Sequence, residues 1–278
     1  PVKLILMKST CSLLIISIFS LNIFLTSCSV NKAKTDDSLK KFYDEKNTEG
    51  CFALLDNASG EITVYNMNWD TTRFAPGETF EIPVSLVALH TGIVADEKQQ
   101  FALSAAVIDS NTHVDSTNLS DAFKKNESSF FRQLILNSGK DTFSMWVDSI
   151  SYGNKKTTSE MNEDYWTKGP LKISPDEQLG LMKKMYFGQL PFRKSVQESV
   201  AAMMVKDDNT LYKFACKTGL SNESSGKGYA WAIGWVEENR HVYFFVNLIK
   251  AIGNEAEKES EGIARKILTH YGFFKGNR

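Results

Sequence analysis

Apolar positions along this chain change period twice. Residues Cys51 to Asp56 and Ile62 to Asn66 are apolar and β-branched runs on either side of Asn57-Ala58-Ser59-Gly60, a turn composition that predicts a β-hairpin. The spacing then lengthens to three and four residues. Pro83 fixes the entry of a helix through Ala88 that stops near Gly92, and Asp121 to Leu136 and Asp176 to Tyr186 carry helical periodicity. Strand patterns return over Leu211 to Thr218, Tyr229 to Val236 and Val242 to Leu248, before an amphipathic helix from about Ala256 to Tyr271. Two early strands, a helical middle, three late strands and a terminal helix describe an α+β protein whose antiparallel sheet is covered by helices.

The first residues do not fit that pattern. Lys3 and Lys8 precede an apolar run from Leu13 to Leu25, roughly 13 residues where a bilayer-spanning helix needs about 20, so residues 1–27 read as an export signal. Leu25-Thr26-Ser27-Cys28 resembles a lipobox, which makes Cys28 the lipidated first residue of the mature chain; an ordinary secretory signal with a chance Cys is the alternative. The polar, Lys- and Asp-rich stretch after it reads as a tether, giving residues 28–48 as lipidated N-terminus and linker and 49–278 as one domain. The expected location is the bacterial cell envelope, anchored to the membrane through Cys28.

Composition narrows the partners. With 32 basic and 33 acidic residues the formal net charge is −1, and no basic cluster argues for nucleic acid. His90, His113, His241 and His270 are scattered without ligand spacing, so neither a metal nor another cofactor is expected. Beyond Cys11 and Cys28 only Cys51 and Cys216 remain, both in predicted strands, where small buried hydrophobes with free thiols are expected over a disulfide.

Several segments together carry a family resemblance. Phe74-Ala75-Pro76-Gly77-Glu78-Thr79-Phe80-Glu81-Ile82-Pro83 resembles the active-site segment of class D β-lactamases, with glutamate at the positions of the nucleophilic serine and the catalytic lysine. Gly50-Cys51-Phe52-Ala53-Leu54-Leu55-Asp56 is similar to the family's first core strand. Tyr152-Gly153-Asn154 matches its Y-G-N motif, Tyr165-Trp166 its pocket aromatic, and Lys217-Thr218-Gly219 its K-T-G strand. Each tripeptide alone is weak; in family order, from about Asp44 to Phe274, they imply the β-lactamase and penicillin-binding transpeptidase fold with a five- to seven-stranded antiparallel sheet.

The resemblance also implies a neighbourhood for each side chain. Glu78 stands for the nucleophile and Glu81 for the base, one helical turn apart, with no hydroxyl between them to activate. Asn126 falls where the proton-relaying serine belongs, and a local slip places Ser128 there instead; an amide holds a hydrogen bond but does not pass a proton on. The ligand-pocket residues implied are Ser128, Tyr152, Gly153, Asn154, Trp166, Lys217, Thr218 and Gly219, with plain core the alternative for Trp166. The family's carboxylate-binding arginine has no counterpart; counting along the last helix puts Ser260 near its place. The acidic run Glu255, Glu257, Glu259, Glu261 reads as a solvated helix face.

Two neighbouring carboxylates repel, so one keeps its proton or a cation intervenes, and Lys217 is the cation the family fold supplies. At about 5 Å and an effective dielectric of about 20, each ionised glutamate costs an anionic ligand roughly 3 kcal/mol. The leading expectation is therefore a catalytically inactive binding or sensing module whose partner is a peptidoglycan fragment, a β-lactam or an envelope protein. The alternatives are an enzyme in which Glu78 and Glu81 share a proton as an acid/base pair, and residual penicillin binding through Lys217 and Thr218.

Overall fold

The computed structural model describes residues 33–105, 107, 116–157, 166–222, 228–253 and 255–278. The signal and lipobox, including Cys28, and Tyr165 of the aromatic pair lie outside these residues.

A seven-stranded sheet runs in the order β1-β3-β2-β9-β8-β7-β6. Its strands are β1 (Ala33–Thr35), β2 (Gly50–Asp56), β3 (Ile62–Tyr65), β6 (Val205–Asp208), β7 (Tyr212–Asn222), β8 (Gly228–Glu238) and β9 (His241–Lys250), and β4 (Phe101–Ala102) and β5 (Ser116–Thr117) pair separately. The helices described are α1 (Lys40–Asp44), α2 (Met67–Asp70), α3 (Glu81–Thr91), α4 (Leu119–Lys125), α5 (Ser128–Ser138), α6 (Lys140–Ser149), α7 (Pro175–Tyr186), α8 (Lys194–Met203) and α9 (Ala256–His270). A short 3₁₀ turn, Gly77–Phe80, leads into α3.

Both faces of the sheet are covered, which explains why its central strands read as nearly unbroken apolar runs. Cys51, Ala53 and Leu55 with Trp231, Ile233, Trp235, Phe244 and Val246 face the helical side. The alternate residues Phe52, Leu54, Ala230, Ala232 and Phe245 pack with Ile263, Ala264 and Ile267 of α9 and with Phe42 and Tyr43 of α1. Cys51 and Cys216 lie on β2 and β7, three strand spacings or roughly 14 Å apart, too far for a disulfide.

Three expectations need correction. The sheet is not wholly antiparallel, because β1 runs parallel to β3. The stretch assigned to a tether contributes β1 and α1, with Leu39 and Tyr43 in the core, so the described residues 33–48 belong to the folded domain. The single helix predicted over 121–136 is two: Asn126 adopts a left-handed conformation (φ 55°) that closes α4 with its N–H on the Ala122 carbonyl. Asn tolerates that conformation better than most residues, and hydrophobic periodicity does not register it.

A glutamate-lined candidate site with a saturated lysine

The site is assembled where the start of α3 meets β7. Phe74 exchanges two backbone hydrogen bonds with Ile173 (2.9 and 2.8 Å), and the Gly77 N–H donates to the Trp166 carbonyl (3.0 Å), fixing the approach to Glu78. Thr79 is buried, its hydroxyl donating to the Pro76 carbonyl (2.7 Å) and accepting from Gln178 (2.8 Å). The two backbones then touch. A Cβ on Gly219 would lie 2.6 Å from the Thr79 nitrogen, and one on Gly77 (φ +55°) 2.6 Å from the Leu220 carbonyl. Glycine at both positions lets β7 lie directly on the turn that carries Glu78.

Lys217 is the hub. Its side chain is 3 % exposed, and its ammonium donates to Glu81 Oε2 (2.5 Å), the Phe123 carbonyl (2.6 Å) and Asn126 Oδ1 (2.6 Å), while lying 4.1 Å from the centre of the Phe123 ring. An ammonium has three protons, so none is left for a ligand. The left-handed turn at Asn126 aims its amide between two partners: Oδ1 accepts from Lys217, and Nδ2 donates to Glu257 Oε1 (2.6 Å). Glu257, half-buried on α9, also accepts from the Thr218 hydroxyl.

Glu78 points elsewhere. Its Oε2 accepts the Leu220 N–H at 2.5 Å, and its own backbone N–H supports the same carboxylate. Burial pushes Glu78 up to about 7, assisted by the negative Glu257 and opposed by the Leu220 N–H and Lys217. Burial likewise pushes Glu81 up to about 8 against the pull of Lys217, with Glu78 adding repulsion, and Glu81 Oε1 is buried without a hydrogen-bond partner. Glu257 is also raised by burial. The cluster thus sets three carboxylates against one ammonium.

The structure brings together Glu78, Glu81, Asn126, Lys217 and Thr218, with Gly219 as the contact point beneath them. Ser128, the alternative to Asn126, begins α5, its backbone N–H donating to the Asn126 carbonyl (3.0 Å). Tyr152, Gly153 and Asn154 brace the site from below. Tyr152 is buried against Phe80 with its hydroxyl beside Thr79 and Gln178, Gly153 lies against the Lys172 carbonyl, and Asn154 bonds Pro170 O (2.7 Å) and Lys172 N (3.0 Å). Trp166 is core, stacked on Phe80 at 6.0 Å. Ser260 is also core: it bonds Asn247, which in turn accepts from the Tyr43 hydroxyl (2.6 Å). The residue that α9 contributes to the site is Glu257, which had been assigned to a solvated face. The missed signal is periodic, because Glu257 stands three and seven residues before the buried Ser260 and Ala264, on the same side of the helix.

A cavity of about 280 Å³ opens beside the cluster, walled by Phe123, Met203, Met204 and Cys216 and rimmed by Asn126 and Thr218. A larger hollow of about 460 Å³ lies at the β6–β7 and β8–β9 turns and gathers none of the motif residues.

A sheet with α9 on one face, a helical layer on the other, and a buried lysine on the strand facing the start of α3 define a penicillin-recognising scaffold. The chain belongs to the penicillin-binding protein transpeptidase family, whose domain matches residues 46–269, and within it is class D β-lactamase-like. It is 29% identical over 251 residues to β-lactamase OXA-20 of Pseudomonas aeruginosa, covering 88% of this chain and 92% of that protein. It is 28% identical over 233 residues to the regulatory protein BlaR1 of Bacillus licheniformis, covering 84% of this chain and 38% of that one. In structure it resembles the class D β-lactamase FUS-1 (OXA-85) from Fusobacterium nucleatum subsp. polymorphum, with a TM-score of 0.81 over 87% of this chain and 100% of that chain; at 24% identity this speaks to the fold alone. It also resembles the C-terminal domain of the Bacillus licheniformis BlaR penicillin-receptor, with a TM-score of 0.79 at 27% identity over 88% of this chain and 98% of that one.

Proposed function

We propose that this protein is a binding or sensing module of the cell envelope that does not hydrolyse β-lactams. The observation that carries this is the state of Lys217, whose three protons are all engaged by Glu81, Phe123 and Asn126, with no nucleophilic hydroxyl in the cluster. The hydroxyl that is present, on Thr218, donates to Glu257 and is not free to attack. A carboxylate at position 78 attacking a lactam would form a mixed anhydride with an amine as leaving group, an uphill exchange. A relative described as a penicillin-receptor supports the sensing side of the proposal. The ligand is a β-lactam, a peptidoglycan fragment or an envelope protein; the carboxylate excess disfavours the first two where they carry a carboxylate.

Intact-mass spectrometry after incubation with a reactive penicillin tests the proposal. The expected result is an unmodified mass and no turnover of a chromogenic cephalosporin above background; a stable adduct of the drug's mass overturns it. An acid/base enzyme using Glu78 and Glu81 is the second reading, favoured by values of about 7 and about 8, raised by burial to the neighbourhood of a neutral working pH. Turnover without a covalent intermediate, lost in both Glu78→Gln and Glu81→Gln, would select it.

Anchoring through Cys28 is part of the same proposal. Metabolic labelling with an acyl-chain analogue should mark the wild type and not Cys28→Ala, and an exported but unlabelled wild type would rule the anchor out.

A further inference from the structure

We infer that Asp70 is a proton-operated latch: uncharged, it holds the end of α2 against β2 and α7, and ionised, it releases that end to swing about a hinge at Asn66. Asp70 is 4 % exposed, its Oδ1 is buried without a hydrogen-bond partner, and no ion pair with a described residue reaches it. A carboxylate in such a place has nothing to replace its water, so the group either keeps its proton or moves out.

The surroundings offer no compensation for a charge. Asp70 ends α2, where a carboxylate meets the negative end of the backbone dipoles. The nearest cation along the chain, Arg73, is committed to Glu177 of α7, its Nε donating to both carboxylate oxygens (3.1 and 3.0 Å). The titratable groups acting on Asp70 from the elements packed against it are the buried Cys51 thiol on β2 and Asp176 on α7, and neither supplies positive charge. On β3 the titratable side chain is Tyr65, which packs with the α9 side of the sheet. Asp176 lies in the first turn of its helix, where negative charge is favoured, and accepts from the Ser174 hydroxyl. Asp70 has neither advantage, so of the two aspartates it is the one that holds the proton. Burial, with Asp176 adding repulsion, pushes it from an ordinary 3.8 up to about 7.

The two ends of α2 are fastened differently. Asn66, left-handed at φ 59°, ties the start, its Nδ2 donating to the Gly50 carbonyl (2.9 Å) and its Oδ1 accepting from the Trp69 N–H (3.4 Å). The other end rests on packing and on an uncharged Asp70. Trp69 lies on Phe74 (5.3 Å between ring centres) and on Tyr229 (5.8 Å), and Phe74 is the residue whose pairing with Ile173 sets the approach to Glu78. Releasing α2 therefore uncovers Phe74, and a proton at Asp70 reaches the candidate site through aromatic packing. The latch is independent of what the cleft binds and of whether it acylates.

Amide hydrogen exchange between pH 5 and pH 8 tests it, read as protection factors so that the intrinsic pH dependence of exchange cancels. The reporters are the Asp70, Thr71 and Thr72 amides, which donate to the carbonyls of Asn66, Met67 and Trp69. A carboxyl at an ordinary 3.8 when exposed and about 7 when buried makes opening roughly a hundredfold more frequent at pH 8 than at pH 5, and protection of the three amides should fall by that factor beyond any change in β8. Asp70→Asn keeps the shape and removes the titration, so in it the extra fall should vanish. Where that variant folds poorly, the wild type decides alone: ¹³C NMR of labelled carboxyls should show Asp70 titrating near pH 7, in step with the loss of protection in α2. An Asp70 that titrates below pH 5, α2 amides that lose no more protection than those of β8, or an extra fall that persists in Asp70→Asn would each overturn the inference.

Discussion

The Lys217 ammonium donates to Glu81 Oε2 across 2.5 Å with both side chains almost wholly removed from water, 3 % and 1 % exposed. Breaking such a pair from one side strands the other charge. Lys217→Ala should therefore cost about 3–5 kcal/mol at pH 8, where Glu81 ionises. At mildly acidic pH the loss should shrink, because protonation relieves the carboxyl left behind. Urea denaturation at pH 5 and pH 8 measures both, and an equal loss at the two would show that the pair is not coupled as described.

The wild type should itself be less stable at pH 8 than at pH 5. Glu78 and Glu81 are raised from an ordinary 4.5 to about 7 and about 8. The folded state therefore binds protons more tightly than the unfolded chain, and the stability this provides is fully present below 4.5 and is lost as pH rises through the folded values. A decline on the order of 6 kcal/mol between pH 5 and pH 8 is expected from the size of the shifts if the two carboxyls act independently. Glu78→Gln and Glu81→Gln should each flatten it, and a flat wild-type profile would contradict the burial of both carboxyls.

Glu257→Gln keeps an oxygen for Asn126 and Thr218 but removes a negative charge that raises both Glu78 and Glu81. Stability should change by less than about 1 kcal/mol, since the residue is half-buried and water can replace what is lost. The carboxyl resonances of Glu78 and Glu81 should titrate at lower pH in this variant, as ¹³C NMR of labelled protein would show. No shift in either would remove Glu257 from the cluster.

How far the sequence revealed this arrangement depends on the scale of the signal. The central strands were readable because burial on both faces leaves them apolar without interruption, as in Phe244 and Phe245. The helix break at Asn126 was not, since it turns on one residue's backbone angle. The resemblance placed Glu78, Glu81, Asn126 and Lys217 in one neighbourhood, but not that Lys217 would be turned inward and saturated. That follows from carboxylate, carbonyl and amide oxygens converging in three dimensions. Counting along α9 pointed to Ser260, whereas the helix presents Glu257 and uses Ser260 to hold Asn247 and, through it, Tyr43.

The Tyr152-Gly153-Asn154 motif acts as a brace, and its glycine is the sharpest test of that role. Gly153 has φ +50°, and a Cβ there would sit 2.0 Å from the Lys172 carbonyl oxygen. Gly153→Ala should destabilise the fold by roughly 2–4 kcal/mol through strain and displaced backbone. A loss below about 0.5 kcal/mol, within the range of ordinary surface changes, would place the motif outside the scaffold.

Through Lys217, four parts of the chain share one fastening: β7 itself, α3 through Glu81, the last turn of α4 through the Phe123 carbonyl, and the α4–α5 junction through Asn126. None can detach without releasing a buried ammonium from an acceptor, so the segments lose the option of fraying one at a time. In amide hydrogen exchange they should behave as one cooperative unit, opening together and late. Lys217 is, in this chain, a rivet of the interior.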